Sequence, residues 1–120
     1  MEIRRAKEQD MEGINRLLLQ VCLVHHKGRP DLFKYGAKKY TDEQLRNIIH
    51  DDNRPMFTAV DKEIRGRHIG KQLYEKVLSF AREQGCYNVT LNVWSCNESA
   101  MKFYQACGLL PQKIGMETIL

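Results

Sequence analysis

The feature that most constrains the fold is the segment Arg65–Gly70 (RGRHIG), which stands between a strand-like stretch and the start of an amphipathic helix. Apolar residues recur at helical spacing from there to Gln84, and Gly85 follows as a stop signal. A helix N-terminus carries unpaired amides and about half a positive charge, so this segment predicts an anion site. It lacks a glycine that a dinucleotide fingerprint needs and the Gly-Lys-Ser/Thr of a Walker loop. An ordinary strand-to-helix turn with solvated arginines is the alternative.

Helices and strand-like segments alternate along the first half of the chain. The residue pattern predicts a strand over Met1–Ala6 and a long helix that Asp10 caps and Gly28 ends. A short helix that begins at Thr41 and a strand over Met56–Val60 follow. This order predicts that strands and helices pack in layers.

The second half continues the alternation. After the helix over His68–Gln84 we expect a strand over Tyr87–Trp94, a helix that Asn97 caps and Gly108 closes, and two short strands within Leu109–Leu120. The interleaving predicts the α/β class, with a mixed, partly parallel central sheet flanked by helices. The length predicts one domain over residues 1–120.

Charge and composition restrict the function classes. The 19 Lys and Arg against 15 Asp and Glu give a net charge of +4, which suits an anionic ligand and does not by itself indicate nucleic acid. No apolar run approaches the roughly 20 residues of a membrane span, and no signal-peptide pattern is visible, so we expect a cytoplasmic protein. The four cysteines lack metal or redox spacing, so no metal site is expected.

Two ordered motifs resemble the GNAT superfamily of N-acetyltransferases. The first, Arg-Gly-x-x-Ile-Gly-x-x-Leu, spans Arg65–Leu73, and the second, Asn-x-x-Ala-x-x-Phe-Tyr-x-x-x-Gly-Leu-x-Pro, spans Asn97–Pro111. The resemblance covers Val60–Leu120 closely and the N-terminal half more loosely. It implies an acyl-CoA N-acyltransferase-like fold in which residues 61–120 bind acetyl-CoA, while residues 1–60 supply a strand, helices and the acceptor loop.

The resemblance also implies roles for single residues. Backbone amides of the first motif would cradle the pyrophosphate of acetyl-CoA, and Asn97 would contact the coenzyme A arm. Tyr104 would be the general acid, because a phenol can protonate a departing thiolate. Otherwise Asn97 is a plain helix cap and Tyr104 a core aromatic. The implied acetyl-CoA contacts are Arg65, Gly66, Arg67, His68, Ile69, Gly70, Lys71 and Asn97.

One residue departs from the family pattern. The family usually has glycine where this chain has His68. The backbone N–H of a histidine can still donate to the ligand if its dihedrals are helical. We expect the imidazole to point to solvent or along the ligand and to take no part in catalysis.

A general base is not assigned by the residue pattern. Glu63 and His50 are candidates without a geometric argument. His25 and His26 end the first helix beside the loop 27–40, a region that borders the acceptor in the family. A solvated surface loop is the alternative. The loop residues expected to meet an acceptor are Arg29, Asp31, Phe33 and Tyr35.

Length conflicts with the resemblance. The family has further central strands before the phosphate loop, whereas here Val60 is followed almost at once by Arg65. Their loss would remove an amide that polarises the thioester carbonyl and would expose strand edges. Three explanations compete: a segment missing from the sequence, a spliced or deleted form, which we favour, or a strand supplied by a second copy in a homodimer.

The sequence therefore predicts an acetyl-CoA-dependent N-acetyltransferase that acts by direct attack of a primary amine, on either a small molecule or a protein. The alternative is a coenzyme A-binding or protein-interaction module with little or no catalysis, which the short sheet favours. Nucleic-acid binding rests only on the net charge of +4, and a salt-dependent affinity would be its sign.

Overall fold

The computed structural model describes residues 2–60 and 68–120. Four helices dominate this part of the chain, and a short 3-10 turn precedes the first of them. The elements in chain order are β1 (Glu2–Arg5), the turn Glu8–Asp10, α1 (Met11–Gly28), α2 (Asp42–Ile49), β2 (Phe57–Val60), α3 (Ile69–Glu83) and α4 (Glu98–Ala106). All four predicted helices and both predicted N-terminal strands are confirmed.

Capping side chains explain where two helices begin. The Thr41 hydroxyl accepts the Gln44 amide at 3.1 Å, and the Gln44 side chain accepts the Thr41 amide at 2.9 Å, so α2 starts with the predicted capping box. The Asn97 side chain caps α4 by accepting the Ala100 amide. Asp10 corrects the prediction for α1: it stands at the N-cap position but makes no cap bond there. Its carboxylate instead accepts the Arg4 guanidinium and the Lys7 amide.

The sheet formed by the described residues is small. β1 and β2 pair antiparallel, with Glu2 opposite Val60 and Arg5 opposite Phe57. α3 packs on this sheet, where the rings of Phe57 and Phe80 meet edge to face with centroids 5.9 Å apart. The parallel part of the predicted sheet stays a prediction.

Three predicted strands, in two segments, are wrong for the described residues. Neither Tyr87–Trp94 nor Leu109–Leu120 joins a β-ladder in that part of the chain. Alternating apolar residues do not make a strand alone, because the backbone amides and carbonyls need a neighbouring strand. Tyr87 is 99% exposed and Met116 is 93% exposed, so these side chains have no layer to pack on.

The core is correspondingly small. Ala6, Leu45 and Ile49 form its buried cluster, which lies between the sheet, α1 and α2. The chain exposes 9976 Å², against about 6,700 Å² for a compact monomer of this mass. Its radius of gyration is 15.7 Å, against about 14 Å for a compact domain of this length. Among the described helices, none has the length and apolar character that crossing a membrane requires.

Candidate functional site

The start of α3 has an unusual backbone. His68, the N-cap residue, has φ of 60° and ψ of 11°, and it is the only non-glycine residue with positive φ in the described ranges. His68 therefore does not meet the condition of right-handed helical dihedrals under which its backbone N–H would donate to the ligand. Glycine adopts this left-handed conformation without a Cβ clash, which explains why glycine suits the position.

The first turn of α3 fits an anion. The His68 side chain makes no cap bond, and the first turn holds no acidic residue. By contrast, α2 and α4 each have a capping side chain and at least one acidic residue in the first turn. The amides of Ile69, Gly70 and Lys71 have no acceptor among the described residues. Exposed amides with a nearby lysine are what a phosphate group requires.

Several predicted residues cannot be placed beside this turn. Arg65, Gly66 and Arg67, together with the candidate base Glu63, lie outside the described residues. The predicted shortening between Val60 and Arg65 falls in the same part of the chain. The roles proposed for these residues stay predictions.

The two sequence motifs meet where α3 contacts α4. A Cβ built on Gly70 would lie 3.0 Å from Cζ of Phe103, so the helices approach closely at this point. The Phe103 and Tyr104 rings meet edge to face with centroids 5.2 Å apart. Tyr104, the predicted acid, is half-buried. It lies on α4, the helix that packs against the uncapped first turn of α3.

Asn97 is held by both ends of its side-chain amide. The Oδ1 atom accepts the Ala100 amide at 3.3 Å and the Ser99 hydroxyl at 3.2 Å. The Nδ2 atom lies 3.4 Å from Nε2 of His25. The helix-cap reading is thus satisfied, and one N–H of the amide remains for a ligand.

The C-terminal end of α1 packs against the segment before α4. A Cβ on Gly28 would lie 2.5 Å from Cβ of Cys96, so glycine permits this approach. The Phe33 ring lies 4.9 Å from the His25 ring and 4.9 Å from the Trp94 ring, measured between centroids. These contacts bring the predicted acceptor loop to the start of α4.

The charged residues of the loop bind one another. The Arg29 guanidinium donates to both carboxylate oxygens of Asp31, at 3.0 and 2.9 Å, and also to Glu117 of the C-terminal segment. These bonds, with Asp31 first, raise the pKa of Arg29, and Arg29 lowers the pKa of Asp31. Arg29 therefore links the loop, through Asp31, to the C-terminal segment, through Glu117.

The histidines occupy different surroundings. His26 Nδ1 lies 2.6 Å from the Phe33 carbonyl oxygen, and Tyr35 packs edge-on against its ring. The sequence did not distinguish His26 from His25, because this bond depends on the path of the loop. His50 lies elsewhere: its Nε2 is 2.9 Å from Glu8, and this bond lowers the pKa of Glu8. No group of three or more metal-binding side chains occurs among the residues that the structure describes.

Comparison with known proteins finds a family match over part of the chain and two solved structures with a similar fold. Residues 56–109 match the acetyltransferase (GNAT) family. The whole chain also superposes on two crystal structures of mutants of the BH1408 protein from Bacillus halodurans, with TM-scores of 0.83 and 0.84 at 23% and 24% identity. Each alignment covers 100% of this chain, and 100% and 99% of the other chains. The superposition confirms the mixed α/β class with a shortened sheet, and residues 56–109 are similar to a GNAT acetyltransferase domain.

Several named relatives are N-acetyltransferases. Glucosamine 6-phosphate N-acetyltransferase of Arabidopsis thaliana is 33% identical over 80% of this chain, and N-acetyltransferase 8B of Homo sapiens is 46% identical over 86%. Thialysine N-epsilon-acetyltransferase of Bos taurus is 33% identical over 66%. The chain spans only 62%, 46% and 45% of these three relatives.

Proposed function

We propose that this protein is an acetyl-CoA-dependent N-acetyltransferase that transfers the acetyl group to a primary amine by direct attack. The observation that carries the proposal is the junction of α3 and α4. The uncapped first turn of α3 contacts Phe103 of α4. The next residue of α4, Tyr104, is half-buried and packs against Phe103. An anion-binding turn beside a phenol matches the needs of a pyrophosphate and a leaving thiolate.

The proposed roles follow this arrangement. Tyr104 protonates the thiolate that leaves, and the remaining N–H of Asn97 contacts the coenzyme A arm. Acetyl-CoA serves as co-substrate and supplies the thioester, while this chain's amides orient its phosphates. The residues proposed to bind it are Arg65, Gly66, Arg67, His68, Ile69, Gly70, Lys71 and Asn97.

The acceptor is proposed to be a small molecule or a protein with a primary amine. The names of two relatives include an amino sugar phosphate and a lysine analogue, and both compounds are small primary amines. In this chain the acceptor would meet the loop that packs Phe33 against His25 and Trp94. Glucosamine 6-phosphate and thialysine are therefore the first probes.

Assembly, domain organisation and location belong to the same proposal. We treat residues 1–120 as one domain, with an acceptor half over 1–60 and an acetyl-CoA half over 61–120. The large exposed surface supports a homodimer. The cytoplasm and the lack of a nucleic-acid or membrane partner rest on composition and charge patterning alone.

The test combines binding with turnover. Calorimetry should detect acetyl-CoA binding, and mass spectrometry should detect acetylation of glucosamine 6-phosphate or thialysine. Tyr104→Phe should keep acetyl-CoA binding and lower kcat by about 10²- to 10⁴-fold, because it removes the acid. Tyr87→Phe is the matched control, since Tyr87 is 99% exposed, and it should leave both unchanged.

Other results point elsewhere. Acetyl-CoA binding without transfer to any amine would support the alternative, a coenzyme A-binding module without catalysis. Unchanged turnover in Tyr104→Phe would remove Tyr104 from the mechanism and leave the activity standing. Absence of acetyl-CoA binding would exclude both functions.

A further inference from the structure

His26 is held by a bond that fixes which of its nitrogens carries a proton. The Nδ1 atom lies 2.6 Å from the carbonyl oxygen of Phe33, and a carbonyl can only accept. Nδ1 therefore donates, so the lone pair of the neutral ring lies on Nε2. Tyr35 packs edge-on against the ring at 5.4 Å between centroids and further restricts its orientation.

The neighbouring histidine, His25, has a different hydrogen-bond partner. Oδ1 of Asn97 accepts from Ala100 and Ser99, which turns Nδ2 of Asn97 towards Nε2 of His25. The lone pair of His25 Nε2 is thus engaged by an amide. Nε2 of His26 has no bonding partner among the described residues, and the side chain is partly exposed.

His26 is linked to the proposed acceptor side through one loop residue. The carbonyl of Phe33 binds His26, while its ring packs against His25 and Trp94. Trp94 and His25 both lie next to the start of α4. The backbone N–H of Asn97 donates to the Trp94 carbonyl at 2.9 Å, and the side-chain Nδ2 of Asn97 lies 3.4 Å from Nε2 of His25. Phe33 therefore contacts His26 through its carbonyl and the residues beside Asn97 through its ring.

Titratable and charged groups flank His26 along the chain and on the segments joined to it. They are Cys22, His25, Lys27 and the C-cap residue Arg29 of α1, Asp31, Lys34 and Tyr35 of the loop, and Glu117, which binds Arg29. Arg29 is matched by two carboxylates, those of Asp31 and Glu117. No ion pair between His26 and a carboxylate occurs among the residues that the structure describes.

We propose that His26 is the general base that removes a proton from the acceptor ammonium. The proposal rests on the acetyltransferase function above. Nε2 takes one proton from R–NH₃⁺, and the freed lone pair of R–NH₂ attacks the thioester carbonyl carbon. The C–N bond forms, the C–S bond breaks, and the thiolate takes a proton from Tyr104. The second proton lost by the nitrogen restores the phenol, and the imidazolium releases its proton to water.

The test uses variants that separate the base from a structural role. Glutamine at position 26 can still donate to the Phe33 carbonyl and cannot take up a proton near neutral pH. His26→Gln should therefore keep its thermal unfolding midpoint and its KM for acetyl-CoA. It should lose about 10²- to 10⁴-fold in kcat. His50→Gln is the matched control and should leave the kinetics unchanged.

The pH dependence gives the signature of a base. The wild-type kcat/KM profile should have an acidic limb that His26→Gln lacks. The rate of the variant should rise towards that of the wild type at high pH, because more of the amine is then already neutral. Nitrogen NMR should find the Nδ1–H tautomer of His26 in the wild type.

The outcomes of these experiments distinguish the role of His26 from the acetyltransferase function. A wild-type profile in His26→Gln, or an Nε2–H tautomer, would overturn the role of His26 and leave the acetyltransferase function intact. A wild type that acetylates no small-molecule or protein amine, glucosamine 6-phosphate and thialysine included, would overturn the proposed function, and the role of His26 with it. Loss of activity equally large in His50→Gln would also contradict the proposal.

Discussion

His68 occupies a backbone conformation that L side chains rarely adopt, with φ of 60°. A left-handed residue with a Cβ costs roughly 1–2 kcal/mol. Glycine relieves this strain. However, it also makes the unfolded chain more flexible, which lowers the free energy of unfolding by roughly 0.5–1 kcal/mol. His68→Gly should therefore raise the free energy of unfolding by about 0.5–1 kcal/mol, measured by urea denaturation.

Gly85 provides the matched control for His68. It follows α3 with φ of 72°, and a Cβ there would meet nothing within 4 Å, so backbone strain is the only cost of a side chain. Gly85→Ala should lower the free energy of unfolding by about 1 kcal/mol. If both substitutions shift stability in the same direction, the left-handed conformation at His68 is wrong.

Gly28 shows how one residue keeps the candidate site together. Alanine at this position would press on Cβ and Sγ of Cys96, at 2.5 and 2.8 Å. The end of α1 would have to move away from Cys96, and overpacking of this kind costs about 1–3 kcal/mol. Gly28→Ala should lower the free energy of unfolding by that amount and weaken the His25–Asn97 contact.

The same substitution near the start of α1 has the opposite sign. A Cβ on Gly13 meets only the end of the Arg16 side chain, at 4.0 Å. Alanine favours the helix over glycine, so Gly13→Ala should raise the free energy of unfolding by about 0.5–1 kcal/mol. Equal effects of Gly13→Ala and Gly28→Ala in denaturant titrations would contradict the close approach at Cys96.

At the scale of elements, Arg4 and Asp10 tie β1 to the start of α1. The guanidinium donates to both carboxylate oxygens, at 2.8 and 3.0 Å, and the two side chains are only 14% and 16% exposed. The bond from Arg4, followed by that from the Lys7 amide, lowers the pKa of Asp10. A carboxyl with a lowered folded pKa stabilises the fold above its unfolded pKa, near 3.9.

This link predicts a pH-dependent stability. The stabilisation should be complete well above pH 4 and should disappear as the pH falls through the lower folded pKa of Asp10. The difference in unfolding free energy between wild type and Asp10→Asn should therefore be largest near neutral pH and shrink in acid. Asp52→Asn is the control, because Asp52 pairs with Arg5 while 89% exposed, and its effect should be small at every pH.

Helices were predictable from the sequence because their signals are local. The Thr41 capping box and the cap at Asn97 lie within four residues of the helices that they start. Asp10 misled the prediction because Arg4, on another element, competes for its carboxylate. The strand predictions failed at Tyr87–Trp94 because a strand depends on a partner that no local pattern reveals.

The candidate site was predictable only in part, for the same reason. The motifs pointed to Gly70 and Tyr104, which lie on the contacting helices α3 and α4, and to the family that residues 56–109 match. The contact between His25 and Asn97 joins residues 72 positions apart, and nothing near either residue indicates it. The bond between His26 and the Phe33 carbonyl depends on the loop path, which proline and glycine signals predict only as a turn.

At the scale of the whole molecule, apolar surface is distributed unevenly. Leu45 is completely buried, whereas Met116 is 93% exposed and Leu110 is 86% exposed. A chain that exposes so much apolar surface commonly uses it for contact with another molecule or aggregates. The stability of the monomer should then depend on the few residues between the sheet, α1 and α2.

This uneven distribution predicts opposite responses to truncation. Leu45→Ala should lower the free energy of unfolding by about 2–5 kcal/mol, because it leaves a cavity in the buried cluster of Ala6, Leu45 and Ile49. Met116→Ala should change it by less than about 0.5 kcal/mol, because the side chain is already in water. Denaturant titration of dilute protein measures both effects. If Met116→Ala costs as much as Leu45→Ala only at high protein concentration, residue 116 is buried between copies, since association makes stability depend on concentration.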